Sequence, residues 1–332
     1  MNKKVQKIIG VLVALLIVSI FCYGCVDQNG NEKEESKTNT GTFTIVDDAG
    51  RTVEIPEKVE RVIGLQNGTI ETVCALGDGD KIVGISSTVP PEWPQALSPS
   101  TWKQVEKVSQ AGNINKVNPE QILELNPDVV FTTTIYPETI KTMEDRGITV
   151  VAVNVKSLED CAHMTELIGK VMGREKEGNA LAAKLYKKIN KYEAKANELK
   201  AEEKPKVYFE GHMFGDRVSV GHDTIQNDLI HTGGGVNIYG GSAVRFPIVN
   251  SEYLVEKNPD IIIVSTLWLA KSKMDEKAYI KSIKERPGWN QINAVKNNKI
   301  YFSPFYKFAA WGNVAVDEGL DLWAEWIHPE GS

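Results

Sequence analysis

Cysteine is scarce in this chain: four residues in 332, with Cys22 and Cys25 close to the N-terminus. Only Cys74 and Cys161 remain, each on a stretch that reads as helix, so a disulfide-stapled scaffold is excluded. They read as buried thiols, with a bridge between them left open. Histidine is equally sparse, five in all. His212, His222 and His231 share one region but lack HxH or HxxxH spacing, so no bare metal centre and no cofactor is expected. GxSxG, a Walker loop, GxGxxG after a strand and HExxH are also missing, which argues against the common hydrolases, NTPases and dinucleotide enzymes. Glu210 beside His212 is the one pair resembling a proton-transfer couple, too common by chance to argue for an enzyme. There is no basic excess either: 38 Lys and Arg against 44 Asp and Glu, a formal charge of −6, which does not suit nucleic acid.

The longest apolar run, Ile8 to Phe21, is about 14 residues, too short to span a bilayer comfortably. With Lys3, Lys4 and Lys7 ahead of it, it reads as a signal peptide over residues 1–24. Gly24 before Cys25 suits a lipoprotein signal peptidase, which would leave Cys25 lipidated at the new N-terminus, although Cys22 stands where such sites usually carry leucine. The other reading is an uncleaved N-terminal anchor; both place the rest of the chain on the outer face of the cytoplasmic membrane. Residues 25–41 are polar and charged and read as a flexible tether.

The most informative feature is internal. Val117 to Val130 (VNPEQILELNPDVV) recurs as Val249 to Ile262 (VNSEYLVEKNPDII). In each copy Asn118 or Asn250 can cap a short helix with Glu120 or Glu252 in its first turn, Asn-Pro-Asp stops it, and a continuous apolar run follows, as in a strand buried on both faces of a parallel sheet. Two copies imply two related α/β lobes.

Further short β-like runs agree: Arg61 to Leu65, Lys81 to Ser86 and Thr149 to Val153 in the first half, Lys206 to Phe209 and Lys299 to Phe302 in the second. Thr42 to Pro56 alternates around Asp48-Ala49-Gly50 like a β-hairpin, and Ala315 to Trp326 closes the chain as an amphipathic helix. Between the halves, Leu181, Leu185, Ile189, Tyr192, Ala196 and Leu199 form one apolar stripe over Glu175 to Ala201. That predicts a single long helix, too short in heptads for a coiled-coil dimer arm. The expected architecture is α/β: two Rossmann-like lobes, 42–172 and 204–332, joined by a helix within 173–203, with a ligand cleft between them.

On these residues the chain resembles the class III solute-binding proteins, lipid-anchored or periplasmic, that carry ferric siderophores, cobalamin, haem and sometimes oxyanions to ABC importers. The resemblance rests on Asp47 to Val53 leading to Pro56, Glu60-Arg61-Val62-Ile63, the Ile70 to Gly77 helix, and Lys81 to Ile85. It continues through Gly233 to Asn237, Pro287-Gly288-Trp289, Ala294 to Asn297, and Trp323 to Glu330. It implies a monomeric protein, non-enzymatic, delivering a small metal chelate or oxyanion to a permease dimer with its ATPase subunits. It also implies that Glu120 and Glu252 enter arginine pockets of the two-fold permease; otherwise they are ordinary first-turn carboxylates.

In an open α/β sheet the ligand sits beyond the carboxyl ends of the strands. That nominates Gln66, Asn67, Ser87, Trp102 and Tyr136 from the first lobe, and His212, Arg217, Tyr239, Arg245, Trp268, Tyr306 and Trp311 from the second. Such a wall of aromatics with two arginines suits a bulky anionic chelate. Trp93, Trp102 and Trp268 read equally well as packing residues, and Arg217 or Arg245 could simply pair with Glu210 or Asp216. The order of expectation is ferric chelate, then corrinoid, then oxyanion, with haem also compatible and a non-transport sensor as the remaining alternative.

Overall fold

The computed structural model describes residues 41–87, 96–213, 215–309 and 312–329, and for Trp268, Ala270, Lys271 and Ala309 the backbone only. The signal segment, Cys25 and most of the tether therefore lie outside the described residues. Among the described residues no helix is long and apolar enough to cross a membrane.

The chain begins with an antiparallel hairpin, β1 (Thr42–Val46) and β2 (Thr52–Pro56). The first α/β unit follows: β3 (Val62–Gly64), α1 (Asn67–Ala75), β4 (Ile82–Ile85), α2 (Pro99–Val105), β5 (Ser109–Gln110), α3 (Pro119–Glu124), β6 (Val129–Thr133), α4 (Pro137–Glu144), β7 (Val150–Val153) and α5 (Leu158–Val171). Its strands form a parallel sheet in the order β5-β4-β3-β6-β7. The second unit comprises β8 (Lys206–Met213), β9 (Asp216–Val218), α7 (Ile225–Thr232), β10 (Val236–Asn237), α8 (Ser251–Lys257), β11 (Ile261–Ser265), α9 (Thr266–Ser272), α10 (Glu276–Lys284), α11 (Asn293–Lys296), β12 (Ile300–Ser303), α12 (Tyr306–Ala309) and α13 (Asn313–Ile327). Here the parallel order is β10-β8-β11-β12, with β9 antiparallel to β8. The α/β class and the two parallel sheets are as expected; β5, β9 and β10 were not foreseen, being only two or three residues long.

The repeat holds at atomic detail. Asn118 Oδ1 accepts from Glu120 N and Gln121 N, and Asn250 Oδ1 accepts from Tyr253 N. Asn126 and Asn258 take the left-handed conformation, φ 44° and 48°, so the asparagine turns the chain out of each helix. Asp128 then accepts from the backbone of Glu60 and Arg61 at 2.8 Å, and Asp260 from Lys206 at 3.0 Å. Each aspartate ties the incoming strand, β6 or β11, to the strand beside it.

The linking helix α6 runs from Glu175 to Glu198, 24 residues and about 36 Å at 1.5 Å per residue. It returns antiparallel along α5, and the crossing is close because it is made by glycines: a Cβ on Gly178 would lie 2.9 Å from Thr165 O, and one on Gly169 2.9 Å from Gly178 Cα. Strand side chains alternate between two surroundings. Val62, Val129, Phe131, Val151 and Val153 of the first sheet join Val207, Phe209, Ile261 and Ile263 of the second in one apolar cluster with α1, α5, α6, α7 and α13. The opposite faces have separate cores, aliphatic in the first lobe and rich in tyrosine around Trp289 in the second. Cys74 and Cys161 are both free and buried in the shared cluster.

Candidate functional site

A cavity of about 370 Å³ opens at the carboxyl ends of both sheets. From the first lobe come Leu65, Gln66 and Asn67 at the β3–α1 junction, Ile114, Thr133 at the end of β6, and Ile135 and Tyr136 beyond it. The second lobe contributes Phe209, Gly211, His212 and Met213 of β8, Val218 of β9, Gln226 of α7, Ser265 at the end of β11, Leu267 of α9, and Phe246, Phe305 and Phe308. The walls are mainly apolar, and their polar members are neutral.

The polar members are held by local structure. Gln66 caps α1, its side-chain oxygen accepting from Thr69 N at 3.1 Å, and Asn67 Nδ2 donates to Ala96 O at 3.4 Å. Ser265 caps α9. Burial pulls the His212 imidazole down to about 4, so it is neutral at physiological pH.

Behind His212 lies a buried polar network. Glu210, with 0% exposure, receives Arg286 through two bonds of 2.7 and 3.0 Å, Tyr208 Oη at 2.9 Å, and Tyr279 Oη. Burial alone would raise the Glu210 carboxyl; hydrogen bonds and charge from Arg286, helped by the two hydroxyls, outweigh it and keep the group ionised. Arg286 and Arg217 each lie over the Trp289 ring, 4.4 and 5.3 Å from its centroid. The Tyr279 ring meets His212 edge-on at 6.3 Å.

Of the nominated ligand residues, Gln66, Asn67, Tyr136 and His212 line the cavity. Several others are placed elsewhere. Trp102 packs on the shared core from α2. Tyr239 is 8% exposed, its ring tilted against that of Tyr253 and its hydroxyl accepting from Asn250 N. Arg217 stacks on Trp289, and the partner of Glu210 is Arg286 rather than either nominated arginine. Arg245 reaches the first lobe, donating to Val155 O at 3.5 Å. Ser87 is half-buried, its backbone N–H bonded to Gly112 O, and Tyr306 is half-buried beside the lining Phe305. The Trp268 side chain, Trp93 and Trp311 lie outside the described residues. Sequence reasoning did not single out Phe209, Gln226, Phe305 or Phe308; apolar spacing does not separate a cleft phenylalanine from a core one.

Glu120 and Glu252 are both exposed in the first turns of the repeated helices. Glu120 is ion-paired with Arg146, and its own helix N–H together with that guanidinium holds its carboxyl below the usual range.

Residues 62–306 match the family described as periplasmic binding protein. The chain is 27% identical over 335 residues to the uncharacterized ABC transporter substrate-binding lipoprotein YvrC of Bacillus subtilis, covering 98% of each. It is 26% identical over 307 residues to the molybdate-binding protein MolA of Haemophilus influenzae, covering 85% of this chain and 83% of that one. Among solved structures, the periplasmic heme-binding protein RhuT from Roseiflexus, in apo form, superposes with a TM-score of 0.66 at 20% identity, over 81% of this chain and 100% of that one.

Proposed function

Because the chain belongs to the periplasmic binding protein family and is an ABC-transporter substrate-binding protein, we propose that its cleft captures a bulky metal chelate of the ferric-siderophore type. The observation that carries this reading is the cavity wall: four phenylalanines, several aliphatic side chains and neutral polar groups, with no charged side chain among the described lining residues. A small bare oxyanion needs a closed shell of donors, whereas a chelate hides its metal charge inside an organic shell and gains from apolar and aromatic contact. Neutral His212 and Tyr136 add polar, uncharged groups to a wall that suits the polar edge of such a ligand.

The protein acts in this reading outside the cytoplasmic membrane, anchored through Cys25, as a monomer and without catalysis. It delivers its ligand to a permease dimer with ATPase subunits, and Glu120 and Glu252, on equivalent exposed helices of the two lobes, dock to the two permease halves. The lobe limits 42–172 and 204–332, with 173–203 linking them, are part of the same proposal; the two parallel sheets and α6 support them.

The test is calorimetric titration and thermal unfolding of the purified protein with ferric enterobactin, ferrichrome, cyanocobalamin, haemin and molybdate. Molybdate is included because a relative named for it covers 85% of this chain. A ligand at a hundred times its Kd stabilises the folded state by about 2.7 kcal/mol. A ferric chelate is expected to bind and raise Tm while molybdate does neither. Binding of molybdate alone would replace the chelate by an oxyanion, and binding of cobalamin or haemin alone would assign those ligands.

A further inference from the structure

The Ile70 to Gly77 motif takes no part in the lining, yet it contains Glu71, a carboxylate 2% exposed. Glu71 Oε2 accepts from Ser98 Oγ at 2.9 Å and Thr101 Oγ1 at 2.7 Å, and Oε1 accepts from Ser98 N. Ser98 is the N-cap of α2, so Glu71 is pinned between two first-lobe helices. On its other side stands Gly312, which begins α13 of the second lobe. Gly312 has φ −92° and ψ 152°, extended backbone open to any residue, so conformation does not demand glycine there. Space does: a Cβ on Gly312 would lie 2.5 Å from Glu71 Cβ, 3.2 Å from Glu71 Cγ and 3.4 Å from Gly68 O. A Cβ–Cβ clash cannot be relieved by rotating a side chain, because both atoms are fixed to backbone.

The seam adjoins the cleft on both sides. Gln66 and Asn67, at the start of α1, line the cavity, as do Phe305 and Phe308 just ahead of Gly312. We propose that the Glu71–Gly312 contact sets the spacing of the two lobes beneath the cleft, making these two positioning residues for ligand binding. The binding part rests on the cleft being the ligand site, as argued above; the spacing part does not.

Gly312→Ala must restore an ordinary carbon contact of about 3.5 Å, an opening of about 1 Å between α1 and α13. A crystal structure of ligand-free Gly312→Ala is expected to show this separation and a cleft larger than in the wild-type protein. An unchanged α1–α13 spacing, with the change absorbed in the chain before α13, would overturn the proposal. Titration with ferric enterobactin, as the probe, is expected to show affinity about tenfold weaker, because apolar contacts fall steeply with a gap of that size. Equal affinity for Gly312→Ala and wild type would overturn the role in binding. Glu71→Gln retains the Cβ and one acceptor oxygen, its NH2 donating instead to the Ser98 and Thr101 hydroxyls, and is expected to keep both spacing and affinity; loss of affinity with the α1–α13 spacing unchanged would mean that charge, not spacing, matters. A wild-type protein that binds no probe would sink the chelate reading instead, while the crystal structure still decides the seam.

Discussion

At matching places in the two lobes stand Leu65 and Glu210. The match follows from the ladders: Val62 pairs with Val129 where Asp128 N bonds Arg61 O, and Val207 pairs with Ile261 where Asp260 N bonds Lys206 O. Leu65, 0% exposed, sits in an aliphatic cluster with Ile63, Val130 and Ile140. Glu210 sits among tyrosines and Trp289 and is held by Arg286. The duplicated backbone thus supports its cleft wall in two ways: by non-directional packing in the first lobe, and by a directional buried network beside His212 in the second. A buried ion pair adds little net stability over apolar packing, but it fixes geometry, and removing one partner is costly.

Writing the first-lobe residue into the second lobe tests this difference most severely. Glu210→Leu strands Arg286 as a buried charge and is expected to cost about 3–5 kcal/mol in urea denaturation. Adding Arg286→Met should recover part of that loss, because the buried Tyr208 and Tyr279 hydroxyls still lack their acceptor. A neutral Glu210→Leu would show that the two walls do not differ as described.

Asp228 of α7 tests the joint between the lobes, since its Oδ2 accepts from Leu158 N of α5 at 2.7 Å. Burial, with Glu159, Glu193 and Asp160 nearby, raises this carboxyl to about 6 from 3.8. With the folded value above the unfolded one, the associated stability is full below about pH 4 and lost as pH rises through 6. Asp228→Asn keeps an acceptor without the charge. It is expected to be more stable than wild type by about 2 kcal/mol at pH 7.5, with the gap closing at pH 4. Thermal unfolding across that range checks it, and a gap that widens on acidification would contradict the sign.

Asp128→Ala and Asp260→Ala probe what the lobes share. Each removes a carboxylate that ties neighbouring strands, and each is expected to cost about 1–2 kcal/mol by denaturant unfolding. Widely different losses would mean that the repeat is alike in sequence but not in energetics.

Much of this was legible in the sequence for a physical reason. Strands buried on both faces show as unbroken apolar runs, so β3, β4, β6, β7, β11 and β12 stand out, as does the stripe of α6. The end of β8 was hidden because Glu210 and His212 interrupt its run, and the group that neutralises Glu210 lies 76 positions away. For the same reason Arg217 read as a ligand anchor: the aromatic ring that receives it, Trp289, is remote in sequence. Gln66, Asn67, Tyr136 and His212, which line the cavity, were nominated because topology points to loops at strand ends, while Phe305 and Phe308 carry no mark that separates cleft from core.

In the proposed function, two equivalent lobes hold a ligand between them and present it to a symmetric importer. Glu120 pairs with Arg146, whereas among the described residues Glu252 has no ion pair. The most direct measurement compares ferric-chelate affinity of the purified protein with cellular uptake for Glu120→Lys, Glu252→Lys and the double variant. Unchanged affinity, with uptake reduced by each single reversal and abolished by both, is the predicted result. Wild-type uptake in the double variant at unchanged affinity would contradict it.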